Sequence, residues 1–152
     1  MHLRRLTAIA LVLPLVLLLS GCPKDPYVAS MAASSDVSNV VADAISITSQ
    51  LQADNLITNQ EVAGIASYLG SITTLNQTFR NSVKQIHSSG VTGKAQYLAA
   101  AQTFVTNATN TETLQALRIV NPAAQKKVQI FVRAINTALT GIQTAINQAK
   151  GN

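Results

Sequence analysis

Few side chains in this 152-residue sequence are chemically reactive. The chain has one cysteine, Cys22, two histidines and six acidic residues. His87 is followed directly by Ser88 and Ser89. A cysteine thiolate is a nucleophile, and an imidazole that contacts a hydroxyl group can activate it as a general base. The sequence context of Cys22 and of His87 therefore decides which chemistry to expect.

The histidine and the two serines do not predict an active site. Neighbours at a helix end do not generally align as nucleophile and base, and Asp43, Asp54 or Glu61 would have to complete the set by folding alone. His87 falls in the predicted last turn of a helix, where a charged imidazole meets the negative end of the helix dipole. A metal site needs several ligands at suitable spacing. We therefore expect no catalytic residues, no cofactor and no metal site.

The leading segment, residues 1–21, is built like an export signal. Such a signal has a positive start, a short apolar run and small residues before the cleavage site. These parts are Arg4 and Arg5, then Leu6 to Leu19, then Ser20 and Gly21. The apolar run is shorter than the roughly 20 residues that cross the hydrocarbon of a bilayer as a helix. We therefore expect residues 1–21 to be removed.

The tetrapeptide Leu19-Ser20-Gly21-Cys22 carries a more specific pattern. It resembles the lipobox of bacterial lipoproteins, which is a large aliphatic residue, two small residues and a cysteine. In that class a diacylglyceryl group alkylates the cysteine thiol, and a peptidase then cuts before the cysteine. The resemblance implies that Cys22 is the lipidated first residue of the mature chain. Two acyl chains anchor a protein firmly, since each buried methylene contributes about 0.8 kcal/mol.

The resemblance covers only the leading segment and this tetrapeptide, and it identifies no family for the rest of the chain. It implies a bacterial cell envelope protein that is held on a membrane by its lipid. Pro23 stands where an aspartate usually specifies the inner membrane, so inner and outer membranes both remain open. The alternative is an ordinary secretory signal, or an uncleaved anchor, with a coincidental cysteine.

Apolar residues recur at three- and four-residue steps in four stretches after this segment, which predicts amphipathic helices. The stripes run from Val37 to Leu51, from Val62 to Ile86, from Tyr97 to Val105 and from Val128 to Ile146. Short connections between them favour an all-α, up-down four-helix bundle. We assign residues 22–35 to a lipidated N-terminus and tether, and residues 36–152 to the bundle.

Several local patterns predict where the helices start and break. Thr58 and Glu61 form a capping-box pattern, and Asn121-Pro122 places a capping residue before a proline. Asp25-Pro26 could also start a helix, although the small, serine-rich residues 29–35 are equally typical of a tether. The weak helix formers of residues 106–111 predict a broken or kinked third helix. We expect a short helix to restart there and to continue to Ile119.

One polar residue interrupts the second stripe. Asn76 stands where an apolar residue is expected between Ile72 and Phe79. A single polar residue inside a helical interface can fix the register of the two helices, at some loss of stability. We therefore expect Asn76 to be buried against a neighbouring helix.

Charge is sparse in this chain. Only 11% of residues are charged, against about 25% in an average soluble domain. The net charge of +5 includes Arg4 and Arg5 of the leading segment, and nucleic-acid binding would need a clustered basic surface. Lys126, Lys127 and Arg133 are interpreted as a solvated face of the last helix. The first helix is acidic and the last is basic, and we expect the two to be neighbours.

These observations predict a membrane-anchored, noncatalytic module that binds or scaffolds another envelope protein. The anchor is the specific feature, and no reactive constellation accompanies it. The alternative is a carrier of a lipid or other apolar ligand within the bundle, because the predicted core is rich in alanine and poor in aromatic residues. No nucleic-acid partner is expected.

Overall fold

A computed structural model of the protein describes residues 25–109 and 118–149. In these two ranges the chain forms helices and no strands. The helices are α1 (Pro26–Ala53), α2 (Asn59–Ser88), α3 (Lys94–Ala108) and α4 (Pro122–Gln148). The predicted all-α class and the count of four main helices are confirmed.

The helices form an up-down bundle in which α1 and α3 each pack against both α2 and α4. Contacts between helix ends fix the directions. Tyr27 at the start of α1 contacts His87 at the end of α2, and Lys94 at the start of α3 bonds to Asn147 at the end of α4. The helices of each of these two pairs are therefore antiparallel. The expected packing of the acidic first helix against the basic last helix is confirmed.

The first helix starts earlier than predicted. Asp25 Oδ1 accepts a hydrogen bond of 2.8 Å from the backbone N–H of Tyr27, and Pro26 occupies the first helical position. This is the arrangement that caps a helix start. Residues 26–35 therefore belong to α1, and their assignment to a tether was wrong. Small side chains in this stretch, Ala29 and Ser30 among them, are buried in the bundle.

The turn between α1 and α2 follows the predicted chemistry. Asn55 takes a left-handed conformation with φ of 54°, which asparagine tolerates better than most residues. Leu56 N–H then donates to the Leu51 carbonyl at 2.9 Å, as in a helix-ending Schellman turn. The capping box is present: Glu61 N–H donates to Thr58 Oγ1 at 3.2 Å, and Thr58 N–H donates to Glu61 Oε2 at 2.7 Å.

The third helix ends where weak helix formers accumulate. α3 stops at Ala108, within the region where a break was expected. The predicted restart at residues 110–117 lies outside the described residues. Ile119 was expected to be helical, but residues 118–120 are not, and Ile119 is nevertheless buried. Its hydrophobicity places it in the core without helical hydrogen bonding.

The core follows the predicted stripes closely. Every stripe position from Val128 to Ile146 is buried except Val132, which lies at the edge. Phe79 of α2 stacks on Phe104 of α3 with ring centroids 5.3 Å apart. Val62, Ile86, Leu98 and Val105 are only partly buried, at the flanks of the core. In the described part of the chain, no helix has the combination of length and apolarity that crossing a bilayer requires.

Candidate functional site

The predicted anchor precedes the folded bundle by very little chain. Cys22 and the lipobox residues Leu19, Ser20 and Gly21 lie outside the described residues. Asp25, the first described residue, follows Cys22 by three positions and caps α1. We call the end of the bundle that contains Asp25, Tyr27, His87, Lys94 and Asn147 the proximal end. The opposite end, with Asn55, Thr58, Glu61, Val120 and Asn121, is the distal end.

Side-chain contacts at the proximal end join α1 to α2 and α3 to α4. The ring of Tyr27 in α1 stacks on the imidazole of His87 in α2, with centroids 4.0 Å apart and planes 19° apart. Tyr97 Oη donates to the Val91 carbonyl at 3.1 Å. Lys94 Nζ donates to the Asn147 carbonyl at 2.8 Å, which places a cation at the negative end of α4.

Burial raises the pKa of the Tyr97 hydroxyl, and the nearby charge of Asp25 raises that pKa further. The phenol of Tyr97 is therefore held in its neutral, hydrogen-bonding form. The hydrogen bond from Tyr97 Oη to the Val91 carbonyl links the start of α3 to the loop that precedes it. Sequence reasoning did not find the contact of Tyr27 with His87, because these residues are distant along the chain.

His87 lies in the last turn of α2, as predicted. The hydroxyls of Ser88 and Ser89 both donate to the Gln85 carbonyl at 2.9 Å. Glu61 lies at the opposite end of the same helix, about 39 Å away at 1.5 Å per residue. The fold therefore does not bring His87 together with Glu61, one of the acids considered as a catalytic partner.

Asn76, the polar break in the second stripe, belongs to a polar cluster between α1 and α2 in which Asn76 and Ser34 are buried and Ser38 is exposed. Asn76 is 5% exposed. Its Oδ1 accepts from Ser34 Oγ at 2.8 Å, and its Nδ2 donates to the Ser34 carbonyl and to Ser38 Oγ, both at 3.0 Å. The predicted burial of Asn76 in a helical interface is confirmed. Its serine partners were not predicted, and one of them, Ser34, lies in the segment that was assigned to a tether.

A shallow pocket of about 150 Å³ opens beside this cluster. Its lining is mostly polar and consists of Ser38, Val41, Thr73, Asn76, Gln77 and Arg80. The volume is below the roughly 300 Å³ at which pockets for small molecules usually start. The amide hydrogens of Asn76 are already used within the cluster. This pocket therefore suits ordered solvent better than a ligand.

Glu61 links two segments at the distal end. Its side chain accepts from Thr58 N–H and Thr58 Oγ1 in the capping box, and also from Val120 N–H at 2.8 Å. The backbone bonds from Thr58 and Val120, with the Thr58 hydroxyl, lower the pKa of this carboxyl. One carboxylate thereby caps α2 and holds the chain that enters α4.

An open groove lies next to this carboxylate. Its apolar lining is Leu56, Ile57, Val120 and Pro122, with Asn55, Thr58, Glu61 and Asn121 as polar neighbours. Val120 is 85% exposed, more than any other large apolar side chain of the described bundle. The cap of α2 and the cap of α4 therefore frame an apolar surface at the distal end.

Three other polar groups have unusual surroundings. Tyr68 Oη and Asn136 Oδ1 are buried and lack a hydrogen-bond partner among the described residues. Burial raises the pKa of Tyr68 and also that of Asp36 in α1. The basic residues of α4 interpreted as a solvated face, Lys126, Lys127 and Arg133, are all exposed.

Within residues 25–109 and 118–149, no group of three or more histidine, cysteine or acidic side chains is arranged to hold a metal ion. No protein-family model matches the chain, and comparisons with curated proteins and with solved structures find no match.

Proposed function

We propose that this chain is a bacterial envelope lipoprotein, anchored to a membrane through a lipid on Cys22, and that its bundle is a noncatalytic binding or scaffolding module for another envelope protein. The observation that carries the proposal is the Leu19-Ser20-Gly21-Cys22 tetrapeptide directly ahead of a folded bundle. The short distance along the chain from Cys22 to Asp25 supports it, because the modified residue would precede the cap of α1 by only three positions.

The distribution of reactive side chains supports a binding role. His87 and Glu61 are at opposite ends of α2, and each already contacts a neighbouring element, through Tyr27 and Val120 respectively. Ser88 and Ser89 donate to the backbone. These groups stabilise the bundle, and its exposed surface is mainly uncharged. A protein of this kind acts through the surface that it presents.

The anchor is tested by replacing the thiol. In cells supplied with labelled palmitate, Cys22→Ser should abolish acylation and cleavage before residue 22, since serine cannot form the thioether. Ser20→Ala is the matched control, because it keeps a small residue in the lipobox and should leave labelling unchanged. Equal labelling of wild type and Cys22→Ser would exclude the lipobox interpretation.

The binding role is tested by crosslinking in intact cells. A photoreactive residue at Val120 or at Ile130, both exposed, should capture a defined envelope protein in the wild-type background. The same probes in Cys22→Ser show whether formation of this product requires the lipid on Cys22. Absence of any protein neighbour above background from both positions would contradict a scaffolding role, as would turnover of a substrate by the purified protein.

A carrier of a lipid or other apolar ligand is the second candidate. The observation that favours it is that Tyr68 Oη and Asn136 Oδ1 are buried and have no partner within residues 25–109 and 118–149, so that a polar group on a bound molecule could satisfy them. Native mass spectrometry of protein released gently from membranes separates the two candidates. A carrier retains a ligand beyond the anchor lipid, whereas a scaffold has the mass of the acylated chain alone.

A further inference from the structure

We infer that the proximal end of the bundle is a membrane-docking surface that rests on the lipid headgroups, so that the distal end projects away from the bilayer. The partner on this surface is the bilayer itself. The inference rests on the proposed lipid anchor at Cys22. It goes further by fixing which end of the domain meets the membrane and which end is presented to other proteins.

The length of chain between anchor and bundle restricts the orientation. Three virtual bonds of 3.8 Å separate the Cα atoms of Cys22 and Asp25, so the two lie within about 11 Å of each other. Asp25 caps α1, and the helix starts at Pro26. The bundle is about 40 Å long, since α4 has 27 residues at 1.5 Å each. The anchor therefore reaches one end of the bundle and not the other.

The side chains at the proximal end suit a headgroup layer. Tyr27 and His87 form a stacked pair that is partly open to solvent, and amphipathic rings of this kind favour the membrane interface. Lys84 is exposed one turn before the end of α2, and Lys94 starts α3. In the sequence, Lys24 directly precedes Asp25 and Lys150 directly follows Ala149. Lysines near a membrane surface are attracted by anionic lipids.

The long sides of the bundle offer less to a membrane. Among the described residues, the exposed large apolar side chains are Val28, Ile45, Val120 and Ile130. Val28 and Ile45 lie on different faces of α1, because 17 residues at 100° each place them about 100° apart. Ile130 lies on another helix, and Val120 lies at the distal end. These side chains do not form one stripe on which the bundle could lie flat.

The orientation is measured on the full, acylated protein in vesicles of phosphatidylcholine and phosphatidylglycerol. Acylation consumes the only native thiol, so a cysteine introduced at Thr92 or Val120 is the single site for a fluorescent label. Thr92 is exposed at the proximal end and Val120 at the distal end. Energy transfer to acceptors on the lipid headgroups then gives the height of each label above the bilayer.

An upright bundle places the Val120→Cys label higher than the Thr92→Cys label by about the 40 Å length of α4. If the protein is acylated and the two fluorescent labels lie at equal heights, or the Thr92 label lies higher, the docking inference is refuted and the anchor is not. If the protein is not acylated and washes off the vesicles, the anchor is refuted and the orientation with it. Circular dichroism of both variants establishes that they retain the helical fold.

A matched pair of charge variants tests the role of the lysines. Lys84→Gln removes a cation from the proximal end, whereas Lys127→Gln removes one near the distal end. In the anionic vesicles, Lys84→Gln should raise the Thr92 label and Lys127→Gln should leave it in place. A shift of equal size in both variants would show that the proximal lysines have no special contact with the headgroups.

Discussion

Replacing Asn76 in the buried interface between α1 and α2 is the perturbation whose result follows most directly from the structure. Asn76 makes three hydrogen bonds to Ser34 and Ser38. Asn76→Ala removes all three and leaves a small cavity. At about 1 kcal/mol of net stability for each bond, with the added penalty for leaving Ser34 Oγ without its partner, we expect a loss of about 3–5 kcal/mol.

A double-mutant cycle separates pairing from packing. Asn76→Leu fills the space but leaves the buried Ser34 hydroxyl without its interhelical acceptor, which should cost about 1–3 kcal/mol. Ser34→Ala should cost about 1 kcal/mol by removing a donor to Asn76. The double variant replaces both partners by apolar groups and should lie within about 1 kcal/mol of the wild type, because such joint replacement is nearly neutral.

Urea unfolding followed by circular dichroism provides the measurement, with the slope of the transition checked for constancy across the four proteins. A difference of 1 kcal/mol should shift the melting temperature by about 4 °C for a domain of this size. Additive losses in the double variant would refute the paired arrangement of Ser34 and Asn76. A gain in stability from Asn76→Leu alone would refute it as well.

The remaining predictions concern single side chains. Tyr68→Phe should stabilise the fold by about 1 kcal/mol, because it removes a buried hydroxyl that has no partner among the described residues. Tyr97→Phe should destabilise the fold by about 1 kcal/mol, because it removes a hydrogen bond, and the urea midpoints of the two variants should shift in opposite directions. Thr58→Ala should cost about 1 kcal/mol by removing the cap of α2, and an unchanged melting temperature would contradict this. The lowered pKa of Glu61 means that its ionised form adds stability above its unfolded pKa, and that this stability is lost as pH falls through the folded value. Burial raises the pKa of Asp36, so the ionised form of Asp36 lowers the stability of the fold. Melting temperatures at neutral pH should therefore be higher than wild type for Asp36→Asn and lower than wild type for Glu61→Gln. Both differences should shrink in acid, where the carboxyl groups are protonated.

The fold could be predicted from sequence because local and global preferences agree. The stripe from Val128 to Ile146 has helical periodicity, and the caps at Thr58 and Asn121 use side chains that bond within a few residues. Such contacts need no knowledge of the tertiary structure. The sequence did not decide between an early start of α1 and a tether, because small residues such as Ala29 and Ser30 are typical both of tethers and of tightly packed helices.

The contacts at the candidate sites were less predictable, since they join residues far apart in the sequence. The interruption at Asn76 indicated a buried polar group but not that Ser34 would be its partner. The bond from Val120 to Glu61 was not predicted, because the capping box already accounted for the glutamate. Ile119 is buried outside a helix, which shows that hydrophobicity predicted burial there but not secondary structure.

Mass spectrometry of the intact protein extracted from membranes is a direct test of the lipid anchor. We expect a chain that begins at Cys22, with the added mass of a diacylglyceryl group on its first residue. Fragmentation should locate all of that added mass at Cys22. An unmodified chain, or a mature protein that begins at any residue other than Cys22, would contradict the claim that the bundle is held at a membrane by this lipid.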